Sequence, residues 1–322
     1  MLVVGAGASY STKDVEDGFI DAFRVAGIDV FYYSLEARLG LARRWLQWLW
    51  RARGARPEQR PGWPETIYRG SVEALEMALR FEVDWVLAVS GMYFHPDALV
   101  LMRRAGLRTA VVFTESPYED EKQARVAELA DMVWTNERTS VEPLRRANRR
   151  IRYLRHAYAP ARHRAEASAD GYDDGAPSHD VVFVGTGFEE RCILLEAVDW
   201  GGVDLGLYGE WPLLGSRSKL RQFLRGGPVA NGTAAALYRR ARIGLNLHRS
   251  SRTFGRRVEH VQGAESMNPR SYELAACGVF QIADRRAELD ETLGAAVPTF
   301  ESPRELEELV RHYLAQPTQR RR

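Results

Sequence analysis

Two glutamates eight positions apart, Glu265 and Glu273, bracket the stretch of this 322-residue chain with the clearest capacity for chemistry. Between them stands Asn268-Pro269-Arg270. Asparagine is a favoured helix N-cap, proline suits the first helical position because it has no N–H to leave unbonded, and Gly278 suits a left-handed stop. The spacing therefore brackets one short helix, with Arg270 and Glu273 on one face near the positive end of its dipole. Such an end takes anions. With a carboxylate on either side, the layout is fit for gripping a sugar nucleotide by its hydroxyls while the helix mouth takes the diphosphate. A capped surface helix carrying two solvated glutamates would show the same residues.

This constellation resembles the glycosyltransferases of the GT-B fold, whose retaining members carry a Glu-x7-Glu pair at this place. The run Asn-Pro-Arg-x-x-Glu-x-x-Ala-x-Gly at 268–278 resembles more closely the spore-maturation (CgeB-type) glycosyltransferase-like family. The resemblance implies that Glu273 binds the ribose of a donor and Glu265 the transferred sugar. It also implies two facing Rossmann-like α/β domains with the site in an interdomain cleft.

The elements that must position these groups read as α/β throughout. Leu2–Val4 form a buried strand, Gly5-Ala6-Gly7 turn the chain, and a helix over Val15–Ala26 leads to a strand over Ile28–Tyr33. The glycine turn lacks the third glycine of a dinucleotide fingerprint, since position 10 is Tyr10, so a nicotinamide cofactor is disfavoured. By the resemblance this loop lines the cleft, with Ser9 and Tyr10 as acceptor contacts and Ser11, Thr12 and Lys13 also available. Residues 41–62 depart in composition: Leu41, Trp45, Trp48 and Leu49 can share a helical face, beside Arg43, Arg44, Arg51 and Arg53. Such a helix could lie on an anionic membrane, grip a nucleic-acid backbone or stack Trp45 and Trp48 on a flat acceptor. It could equally pack on its own domain with a solvated basic face.

A helix around Ser71–Arg80 precedes a strand at Trp85–Val89, and the loop from Ser90 to His95 leaves its carboxyl end, where open α/β sheets place ligands. His95 either caps the helix Asp97–Ala105 or stands near the reacting sugar. Thr109–Phe113 repeat the pattern, and Glu115 in the following loop is a candidate base or a helix cap. Strands at Met132–Trp134 and Ile151–Leu154, with a helix from about Ser140, complete this half. Residues 156–179 read as a connection, after which Asp180–Val184 and Gly185-Thr186-Gly187 restart the strand-and-glycine unit, followed by a helix over Glu189–Val198. The resemblance places the nucleotide in this half, with backbone N–H groups of Gly185, Thr186 and Gly187 on the phosphates and Arg191 as counter-charge. A strand over Val203–Tyr208 leads to Trp211, which either covers a base or packs. After a helix at Ala234–Ala241, Asn246 and His248 point the same way from the strand Ile243–His248, towards the donor. Arg249, Arg252, Arg256 and Arg257 follow it, then a strand over Val279–Ala283 and a terminal helix near Pro303–Leu314.

Composition bounds the rest. Lys and Arg number 45 against 43 Asp and Glu, which argues against a wholesale nucleic-acid coat. Cys192 and Cys277 stand far apart, so neither a disulfide framework nor a zinc site is indicated, and a reducing compartment fits. No leader or spanning segment is legible, which places the chain in the cytoplasm. The expected division is an acceptor-side domain at 1–158, a linker at 159–179, a nucleotide-sugar domain at 180–300, and a C-terminal helix with a basic tail at 301–322. The expected activity is transfer of a sugar from a nucleoside-diphosphate sugar, UDP-linked by default, to an acceptor hydroxyl of a metabolite, a glycan or lipid, or a modified nucleic-acid base. No cofactor or metal is called for, and the glutamate pair suggests retention of configuration. A non-catalytic sugar-nucleotide binder and a nucleotide-sugar epimerase are the alternatives, and the oligomeric state is open.

Overall fold

The computed structural model describes residues 1–7, 12–91, 93–165, 178–252 and 259–320. The chain divides into two compact units, Met1–Leu154 and Arg155–Arg322.

The first unit is a six-stranded sheet of β1 (Leu2–Gly5), β2 (Phe31–Ser34), β3 (Trp85–Val89), β4 (Arg108–Phe113), β5 (Met132–Thr135) and β6 (Ile151–Tyr153). Their order is β2-β1-β3-β4-β5-β6 and every pairing is parallel. Parallel sheets need cover on both faces, which is why β1, β3 and β4 are nearly continuous apolar runs. One face carries α1 (Lys13–Val25), whose Ile20 packs on Val3, Leu87 and Val112. The other carries α2 (Leu35–Ala52), α3 (Trp63–Arg80), α4 (Pro96–Arg104), α5 (Asp120–Ala127) and α6 (Val141–Arg145). The stretch rich in Arg and Trp thus lies inside α2, which starts directly after β2, but only as far as Ala52. Its Ser34 cap accepts from Ala37 N–H at 3.4 Å. Helix α3 starts eight residues ahead of the expected Ser71, because Glu65 accepts from Gly62 N–H at 2.8 Å and closes the first turn around Pro64. The carboxylate-rich segment after β4 is a turn as far as Glu119, and Asp120 opens α5.

The second unit repeats the plan with β7 (His179–Val184), β8 (Leu205–Tyr208), β9 (Leu224–Gly226), β10 (Ala241–Asn246), β11 (Phe280–Asp284) and β12 (Thr299–Phe300). The order β12-β11-β10-β7-β8-β9 is again wholly parallel. Helices α7 (Glu189–Glu196) and α11 (Pro303–Ala315) share a core with Val181, Phe183 and Ile282 on one face. Helices α8 (Asn231–Arg239) and α9 (Pro269–Cys277) cover Val182 and Val184 on the other. Two shorter helices, α10 (Ala287–Thr292) and α12 (Pro317–Arg320), complete the unit. The chain leaves β7 towards one face and β10 towards the other, so the carboxyl ends of these neighbours form the topological switch point.

Candidate functional site

Helix α9 begins at that switch point. The Asn268 side chain caps it, its Oδ1 accepting from Ser271 N–H at 3.1 Å and from Ser271 Oγ at 3.3 Å. Gly278 ends it in the left-handed region at φ 72°. Asn246, at the end of β10, is wholly buried. Its Nδ2 donates to Ser271 Oγ at 2.7 Å, and its Oδ1 accepts from Asn268 Nδ2 at 2.8 Å. This amide therefore pins the first turn of α9 to the sheet; both its oxygen and its nitrogen are committed to that task.

Arg270 projects from this first turn back over the sheet. Its Nε donates to the Tyr238 hydroxyl at 3.1 Å, and its guanidinium carbon lies 5.4 Å from the Phe183 ring centroid. Both Nη atoms stand 3.3 Å from where a Cβ on Gly185 would be. No carboxylate among the described residues lies in salt-bridge reach of it. Burial alone would lower its pKa, but the fields of Tyr238 and Glu273 outweigh that, so the group is held above its usual range as a fixed cation. Burial pushes the Tyr238 hydroxyl up, with Arg270 opposing, and the neutral phenol accepts from Arg270. Glu273 lies one turn after Arg270, half-buried. Glu265 is half-buried too, but in another quarter: it lines a cavity of about 680 Å³ with Glu190, His248, Asp284 and Arg286. Its carbonyl accepts from Glu288 N–H at 3.0 Å, which fastens the loop ahead of α9 to α10.

The glycine loop after β7 is shaped by packing more than by a phosphate cradle. Gly185 N–H donates to Tyr208 O at 2.9 Å and Gly187 N–H to Glu210 O at 2.7 Å, so these two donors, expected on the diphosphate, are committed to the end of β8 and the loop after it. A Cβ on Gly187 would stand 2.3 Å from the Trp211 ring. Trp211 itself is buried, edge-on to Phe183 with ring centroids 5.6 Å apart, a core residue rather than a cover for a base. Arg191 is also buried, its Nη1 donating to Thr186 O at 2.8 Å and its Nη2 to Leu247 O at 2.7 Å. It braces the β7 loop against the end of β10. Arg270 is a second cation against the glycine loop, beside Gly185.

Beside this brace, His248 Nδ1 and Asp284 Oδ1 are 2.8 Å apart, and the same oxygen accepts from His248 N–H at 2.8 Å. Burial holds the imidazole below its ordinary value against the pull of Asp284, so it is neutral near pH 7 with Nδ1 as donor. Nε2 is then the acceptor; it is buried and meets no partner among the described residues. Burial would raise Asp284, but the imidazole and Arg286 outweigh it and hold the carboxyl low. Glu190 is treated alike. Burial raises it, yet Oε1 accepts from Ser250 N–H at 2.9 Å and Ser251 N–H at 3.2 Å, Oε2 accepts from the Ser251 hydroxyl, and the carboxyl is held below its usual value.

The first unit is organised differently. Ser9 and Tyr10 lie outside the described residues. Around them, the glycine turn after β1 wraps a carboxylate of its own: fully buried Glu16 accepts through Oε1 from Ala6 N–H at 2.8 Å and Thr12 Oγ at 3.2 Å, and through Oε2 from Tyr32 at 2.8 Å. A Cβ on Gly5 would stand 2.2 Å from that carboxylate, which accounts for the glycine without any nucleotide. His95 caps α4, its Nδ1 accepting from Asp97 N–H at 3.2 Å, with its own N–H donating to Ser71 Oγ at 2.9 Å. Glu115 is half-buried ahead of α5, its carbonyl accepting from Tyr118 N–H at 2.9 Å. Trp45 and Trp48 are exposed on α2. The sequence reading missed Tyr238, Glu190, Asp284 and Glu16, each of which acts through a partner at least ten positions away.

Residues 191–322 match the family described as Glycosyl transferase-like. None of the curated proteins matches the chain by sequence. Among solved structures, sucrose-phosphate synthase from Thermosynechococcus elongatus is 14% identical, with a TM-score of 0.56 over 80% of this chain and 71% of that one. The E. coli trehalose-6-phosphate structure bound with UDP-2-fluoro glucose is 11% identical at a TM-score of 0.56, covering 99% of this chain and 92% of that one. UDP-GlcNAc 2-epimerase from Neisseria meningitidis bound to UDP-GlcNAc is 9% identical at 0.54, covering 100% and 93%. The chain thus has the α/β fold of the GT-B glycosyltransferases and epimerases, and its second unit is similar to the glycosyl transferase-like family.

Proposed function

We propose that the protein is a glycosyltransferase whose second unit binds a nucleoside-diphosphate sugar, UDP-linked in the simplest case. The observation that carries the reading is Arg270: a cation fixed by Tyr238 and Phe183 at the mouth of a capped helix, facing a glycine loop, with no carboxylate in salt-bridge reach among the described residues. A diphosphate is the anion such a place suits, since the helix dipole and the guanidinium act on it together. In this reading Glu273 accepts from the ribose hydroxyls, Glu265 from the hydroxyls of the sugar, and Asn268 and Asn246 hold the helix mouth in place. The Gly185-Thr186-Gly187 loop and Arg191 set the floor beneath the phosphates.

The reaction breaks the bond between the anomeric carbon and the diphosphate oxygen while an acceptor hydroxyl oxygen bonds to that carbon and passes its proton to the departing diphosphate. The chief demand is stabilisation of the departing diphosphate, which Arg270 and the positive end of the α9 dipole supply without a divalent ion. The glutamate pair favours retention of configuration. The relation to the CgeB-type branch rests on the 268–278 run. Two structural neighbours, bound with UDP-2-fluoro glucose and UDP-GlcNAc, support the donor class.

An epimerase of nucleotide sugars is the second reading, because epimerases stand among the structures that share the fold. Thermal-shift titration with UDP, GDP and ADP and their glucose and N-acetylglucosamine conjugates separates binder from non-binder, and Glu273→Ala should abolish the conjugate's stabilisation. Product analysis without an acceptor then decides the reaction class. An isomerised sugar still joined to its nucleotide would replace transfer by epimerisation, and binding with neither outcome, across a panel of hydroxyl acceptors, would leave a non-catalytic binder.

A further inference from the structure

Helix α2 carries two apolar stripes, and the fold uses one. Leu35, Leu39 and Ala42 are buried towards α3, where the absence of a side chain on Gly70 lets Leu39 come within 3.2 Å of its Cβ position. Leu41, Trp45 and Trp48, spaced four and three apart on a second stripe, remain 48%, 47% and 61% exposed, and Trp63 at the start of α3 is 54% exposed. Large side chains left bare together in this way mark an interaction surface rather than a packing accident. The charge on this stretch of chain is largely of one sign, although Glu65 stands beside Trp63 and Glu73 and Glu76 pair with Arg69 on α3. Between positions 41 and 62 stand six arginines (Arg43, Arg44, Arg51, Arg53, Arg56, Arg60) and one acidic residue, Glu58, and all seven are exposed.

We propose that this face of the first unit docks on an anionic lipid bilayer. Tryptophan and leucine lodge at the headgroup boundary, arginine forks pair with lipid phosphates, and a helix lying in the interface needs both along one side. A single-stranded nucleic acid would use the arginines equally well, but it needs open aromatic faces for stacking. Two of those faces are already covered: Arg69 lies over Trp45 at 5.3 Å and Arg43 over Trp63 at 5.3 Å. The aliphatic Leu41 on the same stripe offers a base nothing and a bilayer a good deal. No helix among the described residues is long and apolar enough to span a membrane, so the attachment is peripheral. The proposal does not depend on the glycosyl-transfer reading.

Co-sedimentation of the full chain with vesicles of phosphatidylcholine alone, and of phosphatidylcholine with phosphatidylglycerol in equal parts, tests it. The protein should sediment with the anionic vesicles, release as salt rises, and stay in solution with the neutral ones. Trp45→Ala with Trp48→Ala should weaken partition about tenfold or more. Arg44→Gln and Arg51→Gln should each weaken it about fivefold. All of these positions are exposed, so the thermal midpoint of each variant should stay within about 2 °C of the parent, which separates lost binding from lost folding. Failure to bind anionic vesicles, or binding undiminished by the tryptophan pair, overturns the proposal. So does retention of an oligothymidylate through the same tryptophans with vesicles ignored, or a dimer that the tryptophan pair dissolves.

Discussion

Replacing Asn246 by alanine removes the clamp between the sheet and the first turn of α9, and the structure sets the size of the effect. Two side-chain hydrogen bonds go, at 2.7 Å to Ser271 and 2.8 Å to Asn268, from a position with no exposed surface. Each neutral bond contributes about 1 kcal/mol net, and leaving its partner unmatched in a buried setting adds about 1 kcal/mol or more. Ser271 Oγ keeps Asn268 Oδ1 as an acceptor at 3.3 Å and Asn268 is half-buried, so relief is partial. The expected cost is about 2–4 kcal/mol. For a unit of this size that corresponds to a fall of roughly 4–16 °C in its thermal midpoint. Asn268→Ala loses the cap as well, about 1 kcal/mol, so the two changes should couple by about 1 kcal/mol in a double-mutant cycle. Urea unfolding followed by circular dichroism, with an unchanged denaturant slope, gives the numbers. A drop under about 0.5 kcal/mol for Asn246→Ala, or strict additivity with Asn268→Ala, would show that the amide network does not hold the helix mouth.

Three further outcomes follow from the same geometry. Glu16→Ala strands the donors of Ala6, Thr12 and Tyr32 in the first unit and should cost at least about 3 kcal/mol in urea unfolding; a loss below about 1 kcal/mol would refute the anchoring role. Gly187→Ala drives a Cβ into the Trp211 ring and should destabilise the second unit by about 2 kcal/mol, with a change in tryptophan fluorescence; a neutral variant would contradict the close approach. Acid should weaken the second unit in two stages. Because His248 is held below its ordinary value, the unfolded chain takes up a proton near pH 6.5 that the folded unit refuses, so stability is full above that pH and declines as pH falls; His156, brought down to about 4 by burial, adds to the same decline. Glu190 and Asp284, held below their usual values, keep their contribution above about pH 4 and lose it as pH falls further. His248→Gln should flatten part of the first stage only, and urea midpoints constant from pH 8 to pH 5 would count against the assignment.

The parts of this molecule legible in sequence are those fixed by neighbours along the chain. Asn268, Pro269 and Gly278 announce a helix start and stop because capping is local chemistry, and both ends of α9 follow it. The apolar runs of β3, β7 and β10 are equally plain, since a parallel strand buried on both faces leaves little room for polar residues. What escaped is tertiary. The expected strand runs on to His248, but β10 stops at Asn246, and the register that pairs Asn246 with Ala283 brings Asp284 to His248 across 36 positions. The glycines suggested phosphate, yet Gly5 answers to Glu16 and Gly187 to Trp211, contacts that no spacing rule reveals. Arg191 looked like a counter-charge, whereas its Nη groups bind two carbonyls from separate loops.

The most direct measurement is calorimetric titration of UDP and of uridine into the wild-type protein and into Arg270→Ala. Loss of a charge-assisted contact to the diphosphate should weaken UDP about 10- to 100-fold while leaving uridine, which has no phosphate, unchanged. Equal UDP affinity in the two proteins would contradict the assignment of Arg270 and the mouth of α9 to the donor diphosphate.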